Sequence, residues 1–143
     1  MEIRIREATI DDVCSLNELQ ELYFDEKTRE NFEFVLKDQN YLFLVAETVN
    51  AIVGYIGVSI SFESSDLLTI CVHKSYRSRG IAKSLISSIV DVLCKKNVQQ
   101  ILLEVNECNT NAINLYEKMG FKLIHQRKNY YGKDTAFIMK KEL

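Results

Sequence analysis

The stretch Arg77-Ser78-Arg79-Gly80-Ile81-Ala82 decides how the rest of the chain is interpreted. It lies between residues 66–73, which have strand character, and a segment whose apolar residues recur at helical spacing. Small residues allow the backbone to approach a ligand closely, and a helix that begins here offers unpaired N–H groups and the positive end of its dipole. Arg77, Arg79 and Lys83 add positive charge. The combination predicts a pyrophosphate site.

Two other phosphate-binding loops do not fit this spacing. A nucleoside-triphosphate loop requires Gly-x-x-x-x-Gly-Lys-Ser/Thr. Here Arg77 and Ala82 occupy the two glycine positions before Lys83. A dinucleotide loop requires three glycines, and only Gly80 is available. On position alone, a basic turn before a surface helix stays open as the alternative.

The flanking patterns predict an α/β fold with a mixed central sheet of about seven strands and about four helices. A strand–helix–strand crossover in the middle should join two parallel neighbours. The first helix has Val13, Leu16, Leu19 and Leu22 as its apolar stripe. No repeat or linker divides the chain, so residues 1–143 are expected to form one domain. The predicted order is strand, two helices, three strands, helix, strand, helix and two strands, over 2–8, 9–24, 26–37, 41–47, 52–62, 66–73, 81–93, 100–106, 110–118, 121–127 and 135–140.

Composition limits the class of protein. Hydrophobic residues make up 47% and charged residues 27% of the 143, with a net charge of -2, which is typical of a globular protein and gives no sign of a nucleic-acid or membrane partner. The start of the chain has no apolar signal region and no run is long enough to span a membrane, so the cytoplasm is expected. The cysteines lack metal-ligand spacing and are expected to be free thiols, with no metal bound: Cys14, Cys71, Cys94 and Cys108.

Three motifs together resemble the GCN5-related N-acetyltransferase (GNAT) family. Arg77-x-x-Gly80-x-Ala82 is similar to its coenzyme A signature, Gln/Arg-x-x-Gly-x-Gly/Ala. The opening Ile5-Arg6-x-Ala8-Thr9-x-x-Asp12 resembles its first strand and helix start, and Asn109 to Phe121 resembles its C-terminal motif. The resemblance implies the GNAT fold and an acetyl-CoA-dependent N-acetyltransferase, a monomer or homodimer.

The resemblance also implies which residues contact acetyl-CoA. Main-chain groups of Ile70, Cys71 and Val72 would pair with the pantetheine arm as though it were an extra strand. Asn109 would also touch the cosubstrate. The pyrophosphate would be held by the turn and the start of the helix: Arg77, Ser78, Arg79, Gly80, Ile81, Ala82 and Lys83.

Glu104 is the candidate general base. Period two along 100–106 places it with Leu102 and Asn106, opposite the apolar face of the strand. An unpaired carboxylate is costly in a packed core, so Glu104 should face a cleft or a partner; a salt-bridged or edge-exposed glutamate is the structural alternative. Glu104 resembles the β-strand glutamate that serves as base in the ribosomal-protein alanine acetyltransferase branch.

Tyr116 is the candidate general acid. Its helical spacing with Ala112, Leu115 and Met119 predicts an inward-facing packing residue, whose hydroxyl could still protonate the leaving thiolate. The resemblance places an acid tyrosine at this position of Ala-x-x-Leu-Tyr. A backbone N–H near Val72 would hold the oxyanion. His73 and His125 are interpreted as structural.

The acceptor is predicted from Arg127-x-x-Tyr130-Tyr131, which resembles the ribosomal-protein alanine branch. Tyr130 and Tyr131 would line the mouth that receives a peptide N-terminus. That branch has an aromatic-Pro-Trp signature between its first two helices, whereas this chain has no Pro or Trp and reads Leu-Tyr-Phe-Asp-Glu over 22–26. A small amine or polyamine, attracted by acidic residues at the mouth, is therefore the alternative acceptor: Asp25, Glu26 and Glu63. A non-catalytic acyl-CoA-binding module is a third possibility, against which the pair Glu104 and Tyr116 argues.

Overall fold

The computed structural model describes residues 2–129 and 132–143. Within these ranges the chain forms the predicted seven-stranded mixed sheet with four α-helices. Short 3₁₀ turns lie at Ile10–Asp12, Glu26–Thr28 and Lys74–Tyr76. The elements are β1 (Arg4–Glu7), α1 (Val13–Tyr23), α2 (Phe32–Val35), β2 (Tyr41–Glu47), β3 (Ile52–Ser61), β4 (Ser64–Val72), α3 (Ile81–Lys95), β5 (Gln100–Asn106), α4 (Thr110–Lys118), β6 (Lys122–Arg127) and β7 (Ala136–Glu142).

Two neighbouring strands in the middle of the sheet, β4 and β5, pair along only part of their length. The strand order of the sheet is β1-β2-β3-β4-β5-β7-β6, and β4 and β5 form the parallel pair that the crossover through α3 predicted. These two strands pair only where Ser64–Asp66 lies beside Gln100–Leu102. From residue 67 to the end of β4, the edge that faces β5 therefore has no neighbouring strand.

Apolar side chains cover both faces of the sheet. Leu85, Ile86 and Ile89 of α3 are fully buried against strands β2 to β5 on one face. On the other face, Leu16 of α1 and Phe32 of α2 pack with side chains of β2 and β3. The described helices include none that is both long enough and apolar enough to cross a membrane. Helices on both faces hold β4 in place while leaving its open edge accessible.

The predicted helix over 26–37 is wrong in its middle. A 3₁₀ turn is followed by extended backbone at Arg29 before the single helical turn of α2. The buried side chain of Gln20 bonds both main-chain groups of Glu30, at 2.9 and 3.0 Å. Asn31 then caps α2 by accepting the N–H of Phe34. A glutamine from another helix thus replaces helical hydrogen bonds, which the apolar spacing could not reveal.

Leu22 does not belong to the buried stripe of α1. It is 61% exposed, whereas Leu16 and Leu19 are buried. A helix turns by about 100° per residue, so a strict spacing of three drifts around the helix. Nine residues after Val13, the side chain of Leu22 points about 180° away from it.

Candidate active site

A cavity of about 610 Å³ lies where the open edge of β4 meets the start of α3. This volume is typical of a small-molecule site. Its walls come from α1 and the residue after it, from β4, from the basic turn and from α4. The lining residues are Tyr23, Phe24, Ile70, Cys71, Val72, Tyr76, Arg77, Ser78, Gly80, Ile81, Ala82, Lys83, Asn111 and Leu115.

The turn before α3 has the geometry of an anion site. Ser78 and Gly80 have positive φ angles of 63° and 79°. The first hydrogen bond of α3 runs from the N–H of Ser84 to the carbonyl of Gly80, at 3.0 Å. The N–H groups of residues 81–83 therefore have no acceptor within the helix. Gly80 offers no side-chain cap and the first turn carries no acidic residue, so the positive helix end is left for a ligand.

Main-chain groups of β4 point alternately towards β3 and towards the open edge. The N–H of His73 donates to the carbonyl of Val53 on β3, at 2.8 Å. By alternation, the main chain of Cys71 also faces β3, while Ile70 and Val72 face the open edge. The expected main-chain pairing with a ligand is thus available at Ile70 and Val72 and not at Cys71. Cys71 still belongs to the cavity lining, and it is buried in the core cluster that contains Leu16 and Tyr55.

The Cys71 thiol is not an activated nucleophile. Burial raises its pKa to about 11, so the thiol keeps its proton at neutral pH. Cys71 is therefore an uncharged residue of the cavity lining.

The two arginines of the turn behave differently. Arg77 lines the cavity, donates from Nε to the carbonyl of Val72 at 3.0 Å, and places Cζ 4.7 Å from the ring centre of Tyr23. Arg79 is not among the lining residues and lies over the ring of Tyr76, at 5.4 Å. Over residues 2–129 and 132–143, neither arginine has a carboxylate within ion-pair distance. Their positive charge is therefore not neutralised by the described part of the chain.

Glu104 lies on the face of β5 that its alternation predicted. Leu103 and Val105 on either side are buried on the opposite face. The Glu104 side chain is 33% exposed and accepts a hydrogen bond from the guanidinium of Arg127, at 3.4 Å. The carboxylate thus has the partner expected of a charged group on an apolar strand, and it does not line the cavity.

Tyr116 is packed as its helical spacing predicted. It is 7% exposed, and its ring centre lies 5.7 Å from that of Phe121. Its neighbour Leu115 lines the cavity. In the described part of the chain the Tyr116 hydroxyl makes no hydrogen bond. Burial raises its pKa, so the hydroxyl keeps the proton that a general acid needs.

Comparisons with known proteins show the family of this chain. The sequence profile described as the Acetyltransferase (GNAT) family matches residues 9–121. The chain belongs to the GNAT acetyltransferase family. It is 33% identical to an N-alpha-acetyltransferase of Sulfurisphaera tokodaii, over 96% of this chain and 92% of that protein.

Solved structures share the fold of this acetyltransferase. The ribosomal-protein-S18-alanine N-acetyltransferase of Escherichia coli superposes with a TM-score of 0.86 and 25% identity, over 99% of this chain and 94% of that one. An N-acetyltransferase of Thermoplasma acidophilum in complex with coenzyme A gives a TM-score of 0.79 and 25% identity, with both chains fully covered. The expected family, fold and acetyl-CoA-dependent N-acetyltransferase chemistry are confirmed.

The acetyltransferase cavity includes residues that sequence reasoning missed and omits some that it proposed. Tyr23 and Phe24, at the end of α1, are more than forty positions from the cavity residues of β4 and were not predicted to line the site. They lie in the 22–26 segment, where the ribosomal-protein branch has its aromatic-Pro-Trp signature. Asn111 and Leu115 line the cavity from α4, whereas the predicted Asn109 caps that helix by accepting the N–H of Ala112, at 3.3 Å. Asn109 therefore has a structural function in this arrangement.

The structure can be compared with three further predictions, which concern the tyrosine pair, His73 and Glu63. Tyr130 and Tyr131 lie outside the described residues. His73 accepts the N–H of Ser75 at 3.1 Å and caps a 3₁₀ turn, in agreement with a structural interpretation. Glu63 was wrongly placed at the acceptor mouth, because it precedes β4 and lies seven residues, roughly 20 Å of strand, from Ile70.

Proposed function

We propose that this acetyltransferase transfers the acetyl group of acetyl-CoA to the α-amine of a peptide whose first residue is small. The assignment of acetyl-CoA as cosubstrate rests on one observation. The open edge of β4 and the uncapped start of α3 line the same cavity. The acceptor part is supported by the similarity to the N-alpha- and ribosomal-protein alanine acetyltransferases. Such an acceptor would place the enzyme in the cytoplasm.

Two surfaces of the cavity suit the two halves of acetyl-CoA. The unpaired N–H groups of residues 81–83, with the side chains of Arg77 and Lys83, would hold the pyrophosphate. The main-chain groups of Ile70 that face the open edge would pair with the amides of the pantetheine arm. The carbonyl of Val72 already accepts Arg77 Nε, so its N–H is left for the thioester end of the cosubstrate. The thioester would then lie near the end of β4.

The chemistry needs a place for negative charge and two side chains that transfer protons. The amine nitrogen attacks the thioester carbonyl carbon, and the N–H of Val72 would stabilise the oxyanion that forms. As the C–S bond breaks, the Tyr116 hydroxyl would protonate the thiolate, giving free coenzyme A. Before attack, Glu104 would take the proton that the ammonium form of the acceptor must lose, directly or through a water, and the nitrogen would release its second proton to solvent as the amide forms.

The choice of an α-amine has a physical basis. An α-amine with a pKa near ~8 is neutral in about a tenth of molecules at pH 7, against under about a thousandth for lysine. Neutralising lysine would require roughly 3 kcal/mol more from the site. The small-amine alternative keeps some support from Asp25 and Glu26, which are exposed immediately after the cavity residue Phe24.

A competition between acceptors tests the proposed function. An alanine-first peptide should be acetylated with a higher kcat/KM than its N-blocked counterpart carrying an internal lysine, or than spermidine. Mass spectrometry of the peptide and thiol release from acetyl-CoA measure the rates. Preference for spermidine would replace the peptide acceptor by the small-amine alternative, and no thiol release with any amine would favour the non-catalytic module.

Replacing Glu104 by glutamine should slow the reaction mainly at low pH. Below pH ~8 most of an α-amine carries a proton that a base must help to remove, whereas at pH 9 most of it is neutral. We expect a loss of kcat/KM of about 10²-fold at pH 7 that shrinks as the pH rises. The exposed Glu117 on α4 provides the control variant Glu117→Gln, which should match the wild type. A loss in Glu104→Gln that is the same at every pH would remove Glu104 from proton transfer.

A further inference from the structure

Tyr23, the last residue of α1, contacts the segment that joins β4 to the basic turn. The hydroxyl of Tyr23 accepts the main-chain N–H of Lys74 at 2.8 Å, a contact between residues 51 positions apart. Lys74 begins the 3₁₀ turn that follows β4 and leads into the basic turn. The edge of the His73 ring faces Tyr23, with ring centres 6.4 Å apart and planes at 86°. Tyr23 therefore contacts the backbone and a side chain of the segment that carries the basic turn.

The same tyrosine also orients Arg77. Tyr23 lies under the guanidinium at 4.7 Å, while Arg77 Nε donates to the carbonyl of Val72 at 3.0 Å. Contacts at a ring face and at a carbonyl determine both the position and the plane of a guanidinium. The two terminal nitrogens of Arg77 make no hydrogen bond or ion pair with any residue in the described ranges. Because Arg77 lines the cavity, these unbonded donors are available to an anion bound there.

We propose that Tyr23 is a positioning residue that holds Arg77 and the turn after β4 in the conformation that binds the diphosphate of acetyl-CoA. This inference rests on the proposed function of the cavity. Tyr23 acts through Arg77 and through the main chain at Lys74, and it is not itself part of the chemistry. It makes cosubstrate affinity depend on α1, a helix on the other face of the sheet from α3.

Through Tyr23, the basic turn is connected to the residues that follow α1. Phe24, the next residue, lines the cavity, and its carbonyl accepts Arg29 Nε at 2.9 Å. Displacing Tyr23 would therefore disturb Phe24 and the 3₁₀ turn at Glu26–Thr28 together with Arg77. Binding of acetyl-CoA against Arg77 would in turn restrict this segment.

Calorimetric titration with coenzyme A tests the proposal without turnover. Tyr23→Leu, which removes ring and hydroxyl, should raise Kd about tenfold, since a cation–π contact and a hydrogen bond together amount to that factor. Tyr23→Phe keeps the ring and should raise Kd about threefold. In a double-mutant cycle, Tyr23→Leu should raise Kd only about threefold further in the Arg77→Ala background, because the contact with Arg77 is already lost and only the hydrogen bond to Lys74 remains to be removed. Leu22→Ala, on the exposed face of the same helix, is the matched control and should bind as the wild type.

Steady-state kinetics distinguish a positioning function of Tyr23 from a function in core packing or in the chemical step. At saturating acceptor, the Tyr23 variants should show a raised KM for acetyl-CoA and a kcat within about twofold of wild type. A Kd within twofold of wild type in Tyr23→Leu, effects of Tyr23→Leu and Arg77→Ala that add fully, or a loss confined to kcat would each overturn the proposal. Thermal unfolding checks that all variants fold, and Tyr23→Phe supplies the comparison if Tyr23→Leu does not. Absence of coenzyme A binding by the wild type would instead contradict the proposed function.

Discussion

Tyr116→Phe should lower kcat by about 10²- to 10⁴-fold while leaving the affinity for acetyl-CoA almost unchanged. The substitution removes one oxygen and keeps the ring that packs on Phe121. That hydroxyl makes no hydrogen bond in the described ranges, so its loss leaves no partner unsatisfied there. Thiol release at saturating substrates measures kcat, and calorimetry with coenzyme A measures binding.

The variant Tyr41→Phe is the matched control for the loss of a tyrosine hydroxyl. Tyr41 begins β2 and its ring packs edge-on against Phe34, away from the cavity. It should keep wild-type turnover. If Tyr116→Phe also turned over at close to the wild-type rate with saturating substrates, Tyr116 would be a packing residue and another group or water would supply the proton.

Gly80→Glu should weaken acetyl-CoA binding by about 100-fold or more. Repulsion between a new carboxylate and the diphosphate should weaken the binding free energy by about 1–4 kcal/mol, depending on how strongly water screens the charges. The backbone adds to this cost, because Gly80 has a φ angle of 79° that side-chain-bearing residues rarely adopt. A Cβ at this position would meet no atom within 4 Å, so the protein should still fold.

Gly80→Gln separates the contribution of charge from that of backbone strain. Glutamine has the size of glutamate and is equally strained at a φ angle of 79°, but it carries no negative charge. Calorimetry should give a Kd between those of the wild type and Gly80→Glu. Unchanged affinity in a folded Gly80→Glu variant would show that the diphosphate binds elsewhere.

Local patterns were sufficient for the sheet and for the position of the basic turn before α3. Alternation and helical spacing depend on neighbouring residues, so they predicted the strands, the crossover through α3 and the inward direction of Tyr116. They failed where a distant side chain replaced local hydrogen bonds, as Gln20 does at Glu30.

The family and its acetyl-transfer chemistry were determined by the sequence itself, because each motif is a contiguous stretch of the chain: the basic turn with the start of α3, and the C-terminal motif from Asn109 to Phe121. The tertiary structure alone decided which groups line the cavity. Whether β4 keeps an open edge depends on where its pairing with β5 ends, and beyond that point β5 continues to pair with β7. Tyr23 reaches Lys74 and Arg77 only because the sheet brings the end of α1 beside the end of β4. Contacts between residues more than fifty positions apart leave no periodic trace in a single sequence.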